Sequence, residues 1–256
     1  MSASDTLERH FSNIGARARV VSSPAGRVAL DVRTDGRGEH FVIGLPNAAE
    51  ALVLEARRRE RHLVVLVKQG EDKSRFLCGH DERHWFVAAI PESALGTTVA
   101  QALQALRPEA VQRAAAGLRP RQRARRRNPA FVRQGEWFFV PTPELRPDPA
   151  FVLRDEPLSR GRGSRPHIME RAFRRGGALV NVSRSRPAGL TQEEFEALPE
   201  LERRSGWRSM RRDAEVFANG RVRHPDHATV MLRGWHRVFM NTEAGARAMQ
   251  HVVFLD

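Results

Sequence analysis

Residues 61–69, RHLVVLVKQ, place five consecutive apolar side chains between charged and polar ends. A valine-rich run of this length, with turn-forming residues beyond it, reads as a central β-strand. Working back from it, RARVVSS (17–23), GRVALDVR (26–33) and EHFVIGL (39–45) are further strand-like runs, and the Asp35-Gly36 pair is a turn signal between the second and third. Together they predict an antiparallel meander. Between the meander and the central strand, Asn47 with Glu50 three residues on resembles a helix cap, so AAEALVLEARRRE (48–60) is expected to be helical.

On the other side, SRFLCGH (74–80) and HWFVAAI (84–90) flank the polar turn DER, forming a second strand group. Thr98 with Gln101 opens a helix that Pro108 interrupts and Gly117 ends. The order is βββαβββα, an α+β pattern.

Residues 118–128, LRPRQRARRRN, contain six arginines and one large apolar side chain, the composition of a linker or basic arm. Beyond them AFVRQGEWFFV (130–140) reads as a hairpin, HIMERAFRR (167–175) as a helix and GALVNV (177–182) as a strand. Thr191 with Glu194 caps another helix. VFANGRVRH (216–224), HATVML (227–232) and WHRVFM (235–240) read as three strands, and HVVFL (251–255) as a last one. The expected fold is therefore two α+β parts, each a mainly antiparallel sheet with a few covering helices, joined by an Arg-rich linker. Its divisions are a near-neutral part at 1–117, a basic linker at 118–130 and a strongly basic part at 131–256.

Charge supports that division. Residues 1–117 hold 16 basic and 14 acidic side chains, whereas residues 118–256 hold 27 and 16. A genome rich in G and C raises arginine everywhere, but it does not confine the excess to one half. Only Lys68 and Lys73 are lysines, so nearly all the positive charge is guanidinium, whose planar fork pairs with phosphate. A field of this sign favours a polyanion over a neutral metabolite.

The expected contacts to nucleic acid, RNA or single strands before duplex, are Arg119, Arg121, Arg123, Arg125, Arg126 and Arg127 in the arm and Arg160, Arg162 and Arg165 in RGRGSR. To these are added Arg203, Arg204, Arg208, Arg211 and Arg212 around Trp207, where guanidinium and indole alternate as stacking and phosphate contacts require. The near-neutral half is free to take a protein partner, and an adaptor for an acidic partner is a third, weaker function. No run approaches the length of a membrane span and the N-terminus has no secretory h-region, which predicts a soluble, cytoplasmic protein.

One cysteine, Cys78, excludes an internal disulfide framework, so any metal site rests on histidine and carboxylate. Cofactors are expected to be none, or a divalent metal such as zinc. The segment RHPDH (223–227) puts His224 and His227 on either side of a Pro-Asp turn, with His236 on the following strand. Those three could hold a metal, or work as acid and base in a nuclease or phosphoesterase. A weaker set is Cys78, His80 and His84 around the turn at 81–83.

Overall fold

The computed structural model describes residues 3–23, 28–160, 165–204 and 206–245. Their contacts form two compact units. The first runs from the N-terminus to Phe138 and includes Pro225–Ala228 and the residues from Met240 onward; the second comprises Phe139–His224 and Thr229–Phe239. None of the helices among the described residues is long and apolar enough to cross a membrane.

The first unit opens with α1 (Ala3–Asn13), followed by β1 (Ala18–Ser22), β2 (Ala29–Asp35) and β3 (Gly38–Leu45). Next come β4 (Ala49–Arg57), β5 (His62–Gln69), β6 (Asp72–Asp81) and β7 (His84–Ile90), which form an antiparallel sheet in sequence order. The five-residue apolar run is β5, and its alternation explains why it is apolar throughout. Leu63, Val65 and Val67 enter a core with Phe11, Phe41, Ile43, Phe76 and Cys78. Val64 points the other way, against Leu77, Ile90, Val99 and Ala102. A strand buried on both faces cannot spare positions for polar side chains. Each such valine or leucine contributes roughly 1.5–3 kcal/mol by leaving water.

Two expectations for this unit need correction. The first three strands are not a meander: β2 and β3 pair as an antiparallel hairpin, but β1 lies parallel to β3, with Ala18 beside Phe41. β3 thus has a partner on each edge, and the Val20 N–H of β1 donates to the Glu8 carboxylate of α1 at 2.8 Å. The second correction is the predicted helix at 48–60, which is β4. Ala, Leu and Glu favour helix in isolation, yet Ala49 to Arg57 form a ladder with β5, from Ala49 opposite Gln69 to Arg57 opposite His62. The gain from completing a buried sheet exceeds the propensity of these residues. Glu55 of β4 then accepts from the Val99 N–H at 2.5 Å, at the start of α2 (Val99–Ala105). The Thr98–Gln101 capping box forms there as its spacing predicts.

After α2 the chain continues through α3 (Glu109–Ala114), α4 (Pro120–Arg123), β8 (Val132–Gln134) and β9 (Trp137–Pro141). Residues 118–130, read from composition as a linker, lie within the first unit. Asn128 Oδ1 accepts from the Ala130 and Phe131 N–H groups, and Arg133 N donates to Arg126 O.

The second unit carries β10 (Leu153–Leu158), β11 (His167–Arg175), β12 (Ala178–Val182), α5 (Gln192–Glu196), α6 (Glu200–Arg203), β13 (Arg208–Arg212), β14 (Glu215–His224) and, of β15 (His227–Met240), the residues Thr229–Phe239. Its main sheet runs β10, β11, β14, β15, β9, while β12 and β13 form a separate two-stranded ribbon. The predicted helix at 167–175 is β11, held as a strand by antiparallel ladders to both β10 and β14. The two strands expected at 227–232 and 235–240 are the single β15. The last predicted strand, 251–255, lies outside the described residues.

Candidate functional site

Register decides which histidines meet. Ile168 of β11 is opposite Arg223 of β14, so the next pair outward is His167 with His224. Their rings stack, with centroids 4.2 Å apart and planes 24° from parallel. His167 is buried, and Leu158 of β10 lies opposite it on its other side. His224 Nε2 lies 3.3 Å from the Arg165 carbonyl.

β14 ends at His224 and β15 begins at His227, with Pro225 and Asp226 forming the turn that the sequence predicts. His227 therefore follows His224 by three residues of chain. His227 opens β15 within the first unit, whereas His167 and His224 belong to the second. His236 is not at the turn: it is buried nine positions beyond His227 along β15, roughly 30 Å at strand rise. Its Nδ1 lies 3.0 Å from the Gly234 carbonyl.

The second histidine set does not assemble. Cys78 is fully buried in the core cluster of the first unit, and burial pushes its thiol far above the ordinary range. His80 lies edge-on to Trp85, with centroids 4.9 Å apart. His84 Nδ1 contacts Glu39 Oε1 at 2.6 Å, and Glu39 Oε2 accepts from the Trp85 N–H. Each side chain has a structural occupation.

The arginines of 119–127 divide. Arg126 forms ion pairs with Asp81 and Glu82, and Arg133 pairs with Asp81 at 3.1 Å. The Asp81 side chain is only 13% exposed, so these charges hold the first unit together. The Arg123 carbonyl accepts from Arg107, and the Arg123 side chain is half-buried. Arg119, Arg121, Arg125 and Arg127 are exposed.

Arg160 and Arg165 are exposed, while Arg162 lies outside the described residues. Around the ribbon, Arg203 and Arg208 are exposed and Arg204 pairs with Glu200 at 2.6 Å. Arg211 donates to the Gly176 carbonyl, and Arg212 to that of Ala188. Trp207 is half-buried, with its indole N–H on the Glu202 carbonyl and Phe195 edge-on at 5.0 Å. Its ring is already part of a small local core. Arg208–Arg212 is β13.

Sequence reasoning missed Arg154 and Arg171. They sit directly opposite each other on β10 and β11, both exposed, and Arg171 Nη2 donates to Asn219 at 3.1 Å. Among the described residues neither has a carboxylate within ion-pair distance. Neighbouring arginines are mostly neutralised: Arg174 by Glu156, Arg175 and Arg237 by Glu215, Arg221 by Glu170 and Arg223 by Asp155.

Elsewhere, α1, β1 and β4 of the first unit border a cleft lined by Leu7, Val20, Leu45 and Leu52, with His10 and Glu50 as its ionisable residues. No protein-family model, curated protein or solved structure matches this chain.

Proposed function

We propose that the protein binds nucleic acid, with RNA and single strands as its first substrates, through exposed arginines of its basic half. The observation that carries this reading is the Arg154–Arg171 pair. Like charges directly opposite across strands cost stability, on the order of 0.2–1 kcal/mol. A sheet that pairs Arg174, Arg175, Arg221 and Arg223 with carboxylates forms no such ion pair at Arg154 or Arg171 among the described residues. A phosphate oxygen between two guanidinium groups turns the repulsion into a bidentate contact. The excess of 27 basic over 16 acidic residues in the C-terminal half supplies the longer-range attraction.

The test is fluorescence anisotropy with labelled single-stranded RNA, single-stranded DNA and duplex DNA across a salt series. Binding that neutralises several phosphates weakens linearly on a log–log plot, with a slope of about −0.7 per phosphate for single strands and about −0.9 for duplex DNA. Absent or salt-insensitive binding to all three removes the reading.

A further inference from the structure

We infer that one face of the main sheet in the second unit is a stacking platform for single-stranded nucleic acid, with bases resting on Phe173 and Trp235 and phosphates held by Arg154 and Arg171. The inference rests on the proposed nucleic-acid binding and deepens it, because it gives the reason a strand with free bases is preferred to a duplex.

Strand alternation builds the face. On β15, His236 and Val238 are buried, so Trp235, Arg237 and Phe239 project from the other side. On β11, Arg171, Phe173 and Arg175 share one side, opposite Asn219, Phe217 and Glu215 of β14. Two contacts place both sets on the same face. The Phe173 and Trp235 rings meet edge-on with centroids 6.5 Å apart, and Glu215 forms ion pairs with both Arg175 and Arg237. All of these residues belong to the second unit.

The rings differ in what they can offer. Phe217 is fully buried, with the Arg175 guanidinium 5.1 Å from its centroid, and Arg237 lies over Phe239 at 4.9 Å. Phe173 and Trp235 are half-buried, and among the described residues no guanidinium caps either ring. A partly exposed ring on a basic sheet face presents a π-surface to a base, and such stacking tolerates any sequence.

The charges suit the same ligand. Glu215 neutralises Arg175 and Arg237, whereas Arg154 and Arg171 form no ion pair among the described residues. Arg171 is two residues from Phe173 on β11, about 6.5 Å at strand rise. One nucleotide can therefore set its phosphate on the guanidinium and its base on the ring. In a duplex the bases are already stacked on one another, and the face is left with phosphate contacts alone.

An aromatic cluster that only shields the sheet would affect stability and not binding. Fluorescence anisotropy with the full-length chain separates the two roles, using a single-stranded RNA and a strand of equal length with abasic positions. The wild type is expected to bind the normal strand more tightly. Trp235→Leu and Phe173→Leu keep an apolar side chain without a π-surface, and each should weaken the normal strand by about 5- to 150-fold. Their salt slope should not change, since no phosphate contact is lost, and the abasic strand should bind them as it binds the wild type.

Circular dichroism confirms the fold of each variant; where one does not fold, the comparison of normal and abasic strands on the wild type carries the test. Equal affinity for the two strands, or leucine variants that bind RNA as the wild type does, overturns the platform and leaves the nucleic-acid reading standing. Absence of binding to every strand removes both.

Discussion

His167 and His224 stack at 4.2 Å because β11 and β14 pair in a register that brings the first residue of one strand opposite the last of the other. His167 is buried, so His167→Ala, which empties that site, should cost on the order of 2 kcal/mol and lower the urea midpoint. An unchanged midpoint would contradict this prediction.

Gly135 gives an independent handle on His227. Its φ is +56°, and a Cβ there would meet His227 Nε2 at 2.7 Å. Gly135→Ala thus combines left-handed strain with a steric push on the imidazole. It is expected to destabilise the fold by about 1–3 kcal/mol. Urea unfolding checks this, and an unchanged midpoint would show that His227 tolerates displacement.

The sequence and the structure agree where the signal is local. The Asp35-Gly36 turn, the Thr98 and Thr191 capping boxes and the Pro225–Asp226 turn all form as their spacing predicts, and β5 is legible from its apolar run. What the sequence hides is pairing. Residues 48–60 contain the alanine, leucine and glutamate of a helix, and only the ladder to β5 makes 49–57 a strand. The same failure at 167–175 concealed His167: read as helical, it had no reason to face His224. The sequence offers His236 beside the turn because 227–232 and 235–240 read as two short strands, whereas the continuous β15 carries it away from the turn. Arg154 and Arg171 lie 17 positions apart in the chain and became neighbours only when β10 and β11 were paired.

Opposed effects on folding and binding are predicted for those two arginines. Arg154→Gln removes one of two like charges facing each other, so its urea midpoint should rise by the equivalent of a few tenths of a kcal/mol. The same variant should bind RNA more weakly and reduce the salt slope by about 1 if the guanidinium contacts phosphate. Arg171→Gln follows in the same direction, with a smaller gain because the Asn219 hydrogen bond is lost. A variant that loses both stability and binding would instead mean that the pair serves the fold.

Asp81 makes the contrasting case. It pairs with Arg126 and Arg133, and burial pulls the Arg133 guanidinium below its ordinary pKa. Asp81→Ala leaves two poorly solvated cations with one carboxylate fewer between them, which typically costs about 3–5 kcal/mol. Arg126→Ala should likewise lower the midpoint while leaving RNA affinity at wild-type level, whereas Arg121→Ala, on an exposed helix, should leave the midpoint unchanged. Thermal or urea unfolding measured beside anisotropy separates these outcomes.

Acid should destabilise the first unit through His62. Burial lowers its pKa below the ordinary value, opposed by the nearby Glu60 carbonyl and reinforced by the charges of Arg133 and Arg126. The ring lies edge-on to Phe86 at 5.6 Å, and a Cβ at Gly79 would meet its Cδ2 at 2.5 Å, so there is little room for water to follow a proton in. In the unfolded chain the same imidazole protonates near pH 6.5. As pH falls below that value the unfolded state takes up a proton that the folded state refuses, and stability declines by at most about 1.4 kcal/mol per pH unit until the lower folded pKa is reached. Above about pH 6.5 the contribution is flat. His80 is shifted in the same direction, first by burial and then by Arg61, and adds to the slope. Urea midpoints at pH 7.5, 6.5 and 5.5 should therefore fall in the wild type and fall less in His62→Gln, with the remaining slope reduced again by His80→Gln. An identical acid slope in His62→Gln would assign the loss to other groups.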